Sequence, residues 1–376
     1  MAGGRFRVAL VIERFEPHGG GVEGVAWQVA HGLAAAGDEV VVVARRAAPP
    51  ADPRVRVECV FAPAAWQPAR VVWFSRAAAR AARALGCDVV HSFSRTRRQD
   101  VYRAGGGSHA DYMRRAYGAA GARLRRVSPR HAVLLAIEAR VFADPSQTIQ
   151  CNSEMVRDAL RARHGVPEAR LAVVVNGVDL ARFHPALRDR ERARVRAELG
   201  APADAPVWLL VGSELHRKGC DTALRALGAG GPPDAELWVC GRDAAGAWRG
   251  LADRLGVGAR VRFLGPRRDV ERVYAAADAL LLPTRYDAFA NVCLEAAASG
   301  LPVATSGANG AARWLGDAGL VVEDPEDAGG FAKALDALAD PALRARLAAA
   351  ARARAETRSW AHHVAELRSL YARLAA

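Results

Sequence analysis

Short runs of apolar, β-branched residues alternate along this chain with longer stretches that are apolar at every third or fourth position. The runs at 7–12, 39–44, 55–60, 88–92, 148–151 and 172–175 have the length and branching of buried strands. Between the first two, Val22, Val25, Ala26, Val29, Ala30 and Leu33 fall on one face of a helix over 22–36. A second series follows Pro202 and Pro206, with runs at 207–211, 236–240, 260–264, 279–282, 302–305 and 319–322. Strands alternating with helices predict α/β architecture with parallel sheets, and two such series predict two domains, divided near 180 as 1–180 and 181–359. The arginine-rich stretch 187–199 is expected as a linker helix, and the tail 341–376 as nearly continuous helix.

Composition narrows the picture. A chain of 376 residues, 51% hydrophobic, can bury two cores. No apolar run nears the roughly 20 residues of a membrane-spanning helix. The opening run 8–12 is too short for a signal-peptide core, so a cytosolic location is expected. Six cysteines with no CxxC pair are expected as reduced core residues, without a disulfide framework or structural zinc. The net charge of +13 is almost entirely arginine, since Lys218 and Lys333 are the two lysines. Such usage, with abundant alanine, reflects composition as much as function, and by itself does not indicate a nucleic-acid partner.

Three loops carry candidate chemistry. After the run ending at Pro283, Asp287 precedes a helix expected from about Asn291 to Ser299, ended by Gly300 and Pro302. A carboxylate then stands beside the N–H groups of a helix N-terminus at the carboxyl edge of a parallel sheet, where such sheets bind ligands. Asp287 and Glu295 can face one ligand; alternatively they are a helix-dipole acid and a solvated acid. In the loop Val211-Gly212-Ser213…Arg217-Lys218-Gly219, the small residues allow a phosphate close to the backbone and two cations can neutralise a diphosphate. Lysine offers a compact point charge for a phosphate oxygen, and Lys218 is expected to be solvent-exposed; the alternative is a solvated basic turn. Residues 18–24 satisfy G-x-G-x-x-G, but six residues separate the glycines from the run ending at Ile12. Arg45 and Arg46, instead of an acid, close the second run, which leaves an NADP-binding reading open.

These loops, together with Asn176-Gly-Val-Asp179, Val261-Arg-Phe-Leu-Gly265, Tyr274-Ala-Ala-Ala-Asp278, and Trp360 with Leu370-Tyr371, occur in the order of the family-4 glycosyltransferases. The chain resembles that family over nearly its whole length, and is most similar to its lipopolysaccharide-core glucosyltransferases. The resemblance implies the GT-B fold: two Rossmann-like doubly wound domains facing across a cleft, with the helix at about 360–376 returning to the first. It implies retaining transfer of a hexose from a nucleotide-diphosphate sugar, such as UDP-glucose, to a glycan or glycolipid acceptor in lipopolysaccharide-core or other cell-envelope glycan synthesis.

By the same resemblance, Arg217 and Lys218 would hold the donor diphosphate, with Ser213 and the N–H groups of Gly20 and Gly21. Glu295 would take the ribose hydroxyls, and Asp287 with the backbone of Phe289, Ala290 and Asn291 the transferred sugar. A histidine near the reacting carbon is implied; His91 and His109 both qualify, and His109, which follows the glycine run 105–107, is preferred. Two positions depart from the family's pattern, with Asp287 where Glu is usual and Ala290 where Gly is usual, so the donor sugar stays open. No Asp-x-Asp motif occurs, and neither a metal nor a resident cofactor is expected. A GT-B sugar-nucleotide epimerase and an NADP-dependent oxidoreductase are the alternatives. Finally, the stretch 112–141 carries Arg114, Arg115, Arg123, Arg125, Arg126 and Arg130 among apolar residues. Such a segment suits peripheral attachment to the anionic cytoplasmic face of the inner membrane.

Overall fold

The computed structural model of the protein describes residues 4–17, 20–63 and 66–375. The chain divides into two compact units, Met1–Gly177 with Trp360–Ala376, and Val178–Ser359. The first is built on seven strands: β1 (Arg7–Phe15), β2 (Glu39–Ala47), β3 (Val55–Cys59), β4 (Val89–Ser92), β5 (Val101–Ala104), β6 (Thr148–Cys151) and β7 (Leu171–Val173). The second has six: β8 (Val207–Val211), β9 (Glu236–Cys240), β10 (Val261–Gly265), β11 (Ala279–Leu282), β12 (Val303–Ser306) and β13 (Gly319–Val322). The orders are β3-β2-β1-β4-β5-β6-β7 and β10-β9-β8-β11-β12-β13, and every pairing is parallel. Strand order reverses once in each sheet, between β1 and β4 and between β8 and β11. These are the two points where a doubly wound sheet opens a crevice at its carboxyl edge.

In the first unit the apolar face of helix Gly21–Ala35 packs on β1 and β2, and Val25, Val29 and Leu33 are fully or nearly fully buried. The C-terminal helix Trp360–Ala375 joins that core through Val364, Leu367, Leu370 and Tyr371. Its close approach needs glycine: a Cβ at Gly32 would lie 2.6 Å from Val364 Cγ2, and one at Gly177 2.8 Å from the Trp360 ring. Arg368 ties the helix down through Asp38, 2.9 Å away, whose carboxylate is fully buried. A break at 357–359 separates Trp360–Ala375 from Pro341–Glu356, so the expected single tail helix is two.

Other expectations also change. The strand β5 went unanticipated because Arg103 interrupts its apolar pattern; all four of its residues are buried, and Arg103 Nη2 donates to Asn176 Oδ1 at 2.8 Å. Four cysteines are buried, but Cys59 is exposed and Cys87 half-buried, and all six are free thiols. The stretch expected as a linker is the helix Leu187–Glu198, and it belongs to the second unit's core. Arg188, Arg192 and Arg196, spaced one turn apart, all reach the Asp278 carboxylate at 2.6, 3.0 and 2.7 Å. Val207 N donates to the same carboxylate at 2.9 Å, which anchors the start of β8.

Arg196 and Asp278 keep only 2% and 6% of their side-chain surface exposed, so removing one strands the other. We expect Asp278→Ala to lower unfolding free energy by about 3–5 kcal/mol in urea titrations. Burial alone would raise the Asp278 carboxyl, but the three arginines and the Val207 N–H outweigh it and hold it below the ordinary value. The stabilisation is therefore complete above about pH 4 and is lost as pH falls through the depressed folded value. A wild-type and Asp278→Ala pair whose stability gap stayed constant down to pH 2 would contradict this assignment.

Candidate functional site

In the second unit the loops following β8 and β11 meet at the strand-order reversal. Gly219 makes the meeting possible: it adopts φ +73°, and a Cβ there would stand 1.9 Å from the Pro283 carbonyl oxygen. Around that contact, the Arg217 carbonyl accepts from Arg285 N at 2.8 Å and from Thr284 Oγ1 at 3.1 Å. Glu214, at φ +61°, turns the first loop, and Asp243 beyond β9 holds it by accepting from Glu214 N and Leu215 N at 2.8 and 3.2 Å.

The loops bring three expected residues together. Lys218 Nζ lies 2.7 Å and Arg217 Nη1 3.1 Å from the same oxygen, Asp287 Oδ2. Burial alone would raise the Asp287 carboxyl, but Lys218 and Arg217 outweigh it and hold it low. The expectation that Lys218 is solvent-exposed is wrong. It is 7% exposed, because its stem runs under Gly212, where a Cβ would sit 2.8 Å from Lys218 Cε. Arg217 Nε also meets Glu214 Oε2 at 2.7 Å, but that carboxylate is 61% exposed and screened by water, so among the described residues Asp287 is the one enclosed counter-charge to the two cations.

Beside this centre, helix Asn291–Ala298 begins with no side-chain cap at Ala290, so the positive end of its dipole faces the same loop. Phe289 N donates to Asp287 Oδ1 at 3.3 Å, and Ala290 N to Asn309 Oδ1 at 3.2 Å. Glu295 accepts from the Tyr274 hydroxyl at 2.9 Å. Its burial pushes the carboxyl above the ordinary value, with that hydrogen bond opposing. Ser213 lies in the loop after β8 and is half-buried.

In the first unit, Gly20 precedes helix Gly21–Ala35, while His18 and Gly19 of the glycine loop lie outside the described residues. The strand β1 runs to Phe15, three residues beyond expectation, which shortens the connection to those glycines. Arg45 is held by Glu13 at 3.2 Å, and Arg70 shares that carboxylate at 2.7 Å. This pairing removes half of the basis for an NADP phosphate site. Both candidate histidines are buried. His91 Nδ1 faces the Tyr371 hydroxyl at 2.7 Å, and burial lowers its pKa to about 3. His109 opens helix His109–Arg125; its Nε2 faces His131 Nδ1 at 2.9 Å, its N–H donates to Glu138, and burial lowers its pKa to about 3. Both rings are therefore neutral near pH 7.

Sequence reasoning quoted Tyr274 within a motif without giving it a role at the site, and missed Asp243 and above all Asn309. The Asn309 side chain accepts from Ala290 N and Ala311 N and donates to Thr305 Oγ1 and Cys293 Sγ. Nothing local to Ala308-Asn309-Gly310 signals this, because its partners lie up to 19 positions away.

Residues 19–182 match the family described as Glycosyltransferase Family 4, and residues 205–340 that described as Glycosyl transferases group 1. The chain is 34% identical over 248 residues, 61% of its length, to a D-inositol 3-phosphate glycosyltransferase of Corynebacterium kroppenstedtii, of which it covers 54%. It is 39% identical over 158 residues, 41% of its length, to the lipopolysaccharide core biosynthesis glycosyltransferase LpsE of Rhizobium meliloti, of which it covers 45%. The chain thus spans about half the length of these relatives. Among solved structures it is similar to WaaG, a glycosyltransferase involved in lipopolysaccharide biosynthesis, at TM-score 0.83 and 25% identity, over 96% of this chain and 99% of that one. The fold also matches Anabaena HepE, solved with UDP-glucose, at TM-score 0.73 and 19% identity, over 97% of this chain and 100% of that one.

Asn309→Ala leaves two buried N–H groups without an acceptor. We expect a loss of about 2–4 kcal/mol of unfolding free energy, read by urea titration. Asn309→Asp, which keeps the acceptor, should recover part of it, and equal losses in the two variants would count against the acceptor role.

Proposed function

The chain belongs to the glycosyltransferases of family 4 and group 1, with two parallel-sheet Rossmann-like units of the GT-B type, and from that premise we propose that it moves a hexose from a nucleotide-diphosphate sugar to a glycan or glycolipid acceptor, with retention at the anomeric carbon. The carrying observation is Lys218 and Arg217 converging on Asp287 at the β8/β11 crevice. Lipopolysaccharide core or other cell-envelope glycan synthesis is the setting, by analogy with what the names of WaaG and LpsE say of those proteins.

In this reading Arg217 and Lys218 hold the diphosphate, with Ser213 and the N–H groups of Gly20 and Gly21. Asp287 keeps both cations in place and, with the backbone of Phe289, Ala290 and Asn291, takes hydroxyls of the transferred sugar. Glu295, one oxygen fixed by Tyr274, takes the ribose hydroxyls. The bond between the anomeric carbon and the diphosphate oxygen breaks, and its electron pair leaves with the diphosphate. The acceptor hydroxyl bonds to the same face of that carbon, and its proton passes to a diphosphate oxygen. The cations oppose the charge that grows on the leaving group, so neither a protein nucleophile nor a metal is required. His109, neutral near pH 7, would serve as a hydrogen-bonding group near the reacting carbon.

The test begins with thermal shifts across sugar nucleotides, since a donor stabilises the fold by mass action. Transfer assays with the stabilising donor follow, and NMR of the product linkage reads its anomeric configuration. Lys218→Ala should cut kcat by about 30- to 1,000-fold, on the order of 2–4 kcal/mol. Glu295→Gln should chiefly raise the donor KM. Normal kcat in Lys218→Ala at saturating donor would sink the assignment, and donor turnover without acceptor would favour the epimerase.

The anionic membrane surface belongs to the same reading. Among the described residues, no helix is long and apolar enough to cross a membrane. The tip joining helices His109–Arg125 and Pro129–Ala143 exposes Arg123, Arg126 and Arg130 beside Leu124 and Val127, which are 76% and 82% exposed. All six arginines expected at a surface are exposed; of them Arg114 also pairs with Asp111 at 2.6 Å, and Arg125 lies 4.0 Å over the Tyr117 ring. Each arginine near an anionic leaflet contributes roughly 1 kcal/mol. We expect co-sedimentation with anionic but not neutral vesicles, weakened by salt and by replacing Arg123, Arg125 and Arg126 with glutamine. Wild type left in the supernatant at low salt would make a water-soluble acceptor the better reading.

A further inference from the structure

A second concentration of charge lies in the first unit. A cavity of about 760 Å³ opens between helix Gln67–Leu85, the β4–β5 connection and the end of helix Pro129–Ala143. The first helix presents Arg76, Arg80 and Arg83 to it, at spacings of four and three that place them on one face. The connection adds Arg97 and Arg98, and the second helix adds Arg140. Six arginines thus line one cavity, and Asp144 is the one carboxylate in its lining. That carboxylate already accepts from Ser146 N, Ser146 Oγ and Gln147 Nε2.

In an arginine-rich protein such a cluster could be composition alone. What marks this one is that six arginines share a single concave lining without a paired counter-charge, whereas several others are paired. Arg188, Arg192 and Arg196 converge on Asp278, Arg262 meets Glu236, and Arg272 meets Glu191 and Glu198. Among the described residues, none of the six cavity arginines has an ion-pair partner. The buried Nε of Arg97 has no hydrogen-bond partner at all. Like charges one helical turn apart destabilise a helix, so Arg76, Arg80 and Arg83 on one face are unfavourable until an anion lies between them. Trp73, half-exposed at the same lining, offers a flat apolar face of the kind that stacks on a sugar ring.

Topology places this cavity at the amino edge of its own sheet. Arg83 lies in the last turn of a helix leading into β4, and Arg140 and Asp144 lie just before β6. In a parallel sheet, helix-to-strand connections gather at the amino edge, opposite the loops that follow β1 and β4. The cavity is therefore not part of the carboxyl-edge crevice of its own sheet.

We propose that this cavity binds a ligand bearing at least two phosphate groups or a diphosphate, held by the forked donors of several arginines. Guanidinium pairs phosphate oxygens bidentately, and six such forks exceed what a single monoanion can satisfy. The chemistry is shared by soluble phosphorylated sugars and by lipid headgroups, and the inference stands apart from the transfer reaction.

Calorimetric titration of the full chain with inorganic pyrophosphate, at about 0.15 M salt to screen long-range attraction, tests it. Arg80, Arg98 and Arg140 are exposed and come from three different elements, so Arg80→Gln/Arg98→Gln/Arg140→Gln should fold normally, checked by its melting temperature. This variant should weaken pyrophosphate binding at least about tenfold. Arg123→Gln/Arg125→Gln/Arg126→Gln, which removes the same charge at the helix tip, should leave it unchanged. Lys218→Ala should also retain the cavity's binding, which keeps the result independent of the donor site. Equal weakening in both triple variants, or none in the cavity variant, overturns the proposal. Vesicles of cardiolipin, a lipid whose headgroup carries two phosphates, in phosphatidylcholine then identify the source. Pelleting lost in the cavity variant points to a lipid headgroup, and unchanged pelleting to a soluble phosphorylated ligand.

Discussion

The second unit's chemistry depends on one close approach, that of Gly219 to the Pro283 carbonyl. Any side chain at 219 would collide with that oxygen, so the loop after β8 can lie against the loop after β11 only with glycine there. Once they touch, the backbone of Arg217 accepts from Thr284 and Arg285, and the side chains of Arg217 and Lys218 fall on Asp287. Replacing either cation with a neutral group would leave a largely buried carboxylate undercompensated, so the site is held by the same charges it would offer an anion. The stitching continues outward through Arg285, which reaches the His216 carbonyl and Asp221. Asp287 itself is fastened to the next strand's loop by accepting from Gly310 N at 2.8 Å. Rigid loops at a strand-order reversal fix the positions of charges without help from a ligand, which is the condition for electrostatic preorganisation.

That arrangement was partly legible. The strand runs and the two domain series follow from buried, β-branched segments, which parallel sheets require because both of their faces are covered. The strand β5 was not legible, since Val-Tyr-Arg-Ala breaks the pattern with a residue that ought to be exposed. Arg103 is tolerated there because Asn176, 73 positions later, accepts its Nη2. The helix Leu187–Glu198 was legible as a helix but not as core. Its arginines look like a solvated face until Asp278, some 90 positions away, proves to be their common partner. In each case the missing information is a tertiary counter-charge, which local pattern cannot supply.

The site shows the same division. Residue types suited to anions stand out at Arg217, Lys218 and Asp287, because small residues and a helix start surround them. Their mutual pairing does not stand out, and it reverses the expectation of an exposed Lys218. The supporting residues are the least visible: Asn309 and Asp243 belong to no motif and Tyr274 to one whose pattern does not reveal its partner, yet they orient the Ala290 turn, the Glu214 turn and Glu295. The glycine pattern at 18–24 was the opposite case, a recognisable signal that fits several functions. Arg45 is engaged by Glu13, which it shares with Arg70, so the arginine pair after β2 is less free than the pattern suggests.

Net charge illustrates why pairing matters more than count. An excess of +13 says nothing about where a partner would bind, because a guanidinium beside a carboxylate presents a nearly neutral surface. Once paired arginines are set aside, three concentrations of basic side chains stand out. The Arg217–Lys218 pair has one enclosed carboxylate between its two cations and the exposed Glu214 outside them; the exposed tip around Arg123 is joined to apolar side chains; and the cavity lined by Arg80, Arg97 and Arg140 has no free acid. Each suits a different anion. A half-buried pair beside a helix N-terminus suits a compact diphosphate, whose charge is dense and whose geometry is fixed. A convex tip with exposed Leu124 and Val127 suits an extended anionic surface, since apolar side chains need a medium to enter. A concave cavity ringed by forked donors suits a discrete ligand with several phosphate oxygens. Shape and compensation, taken together, thus separate three basic features that composition presents as one.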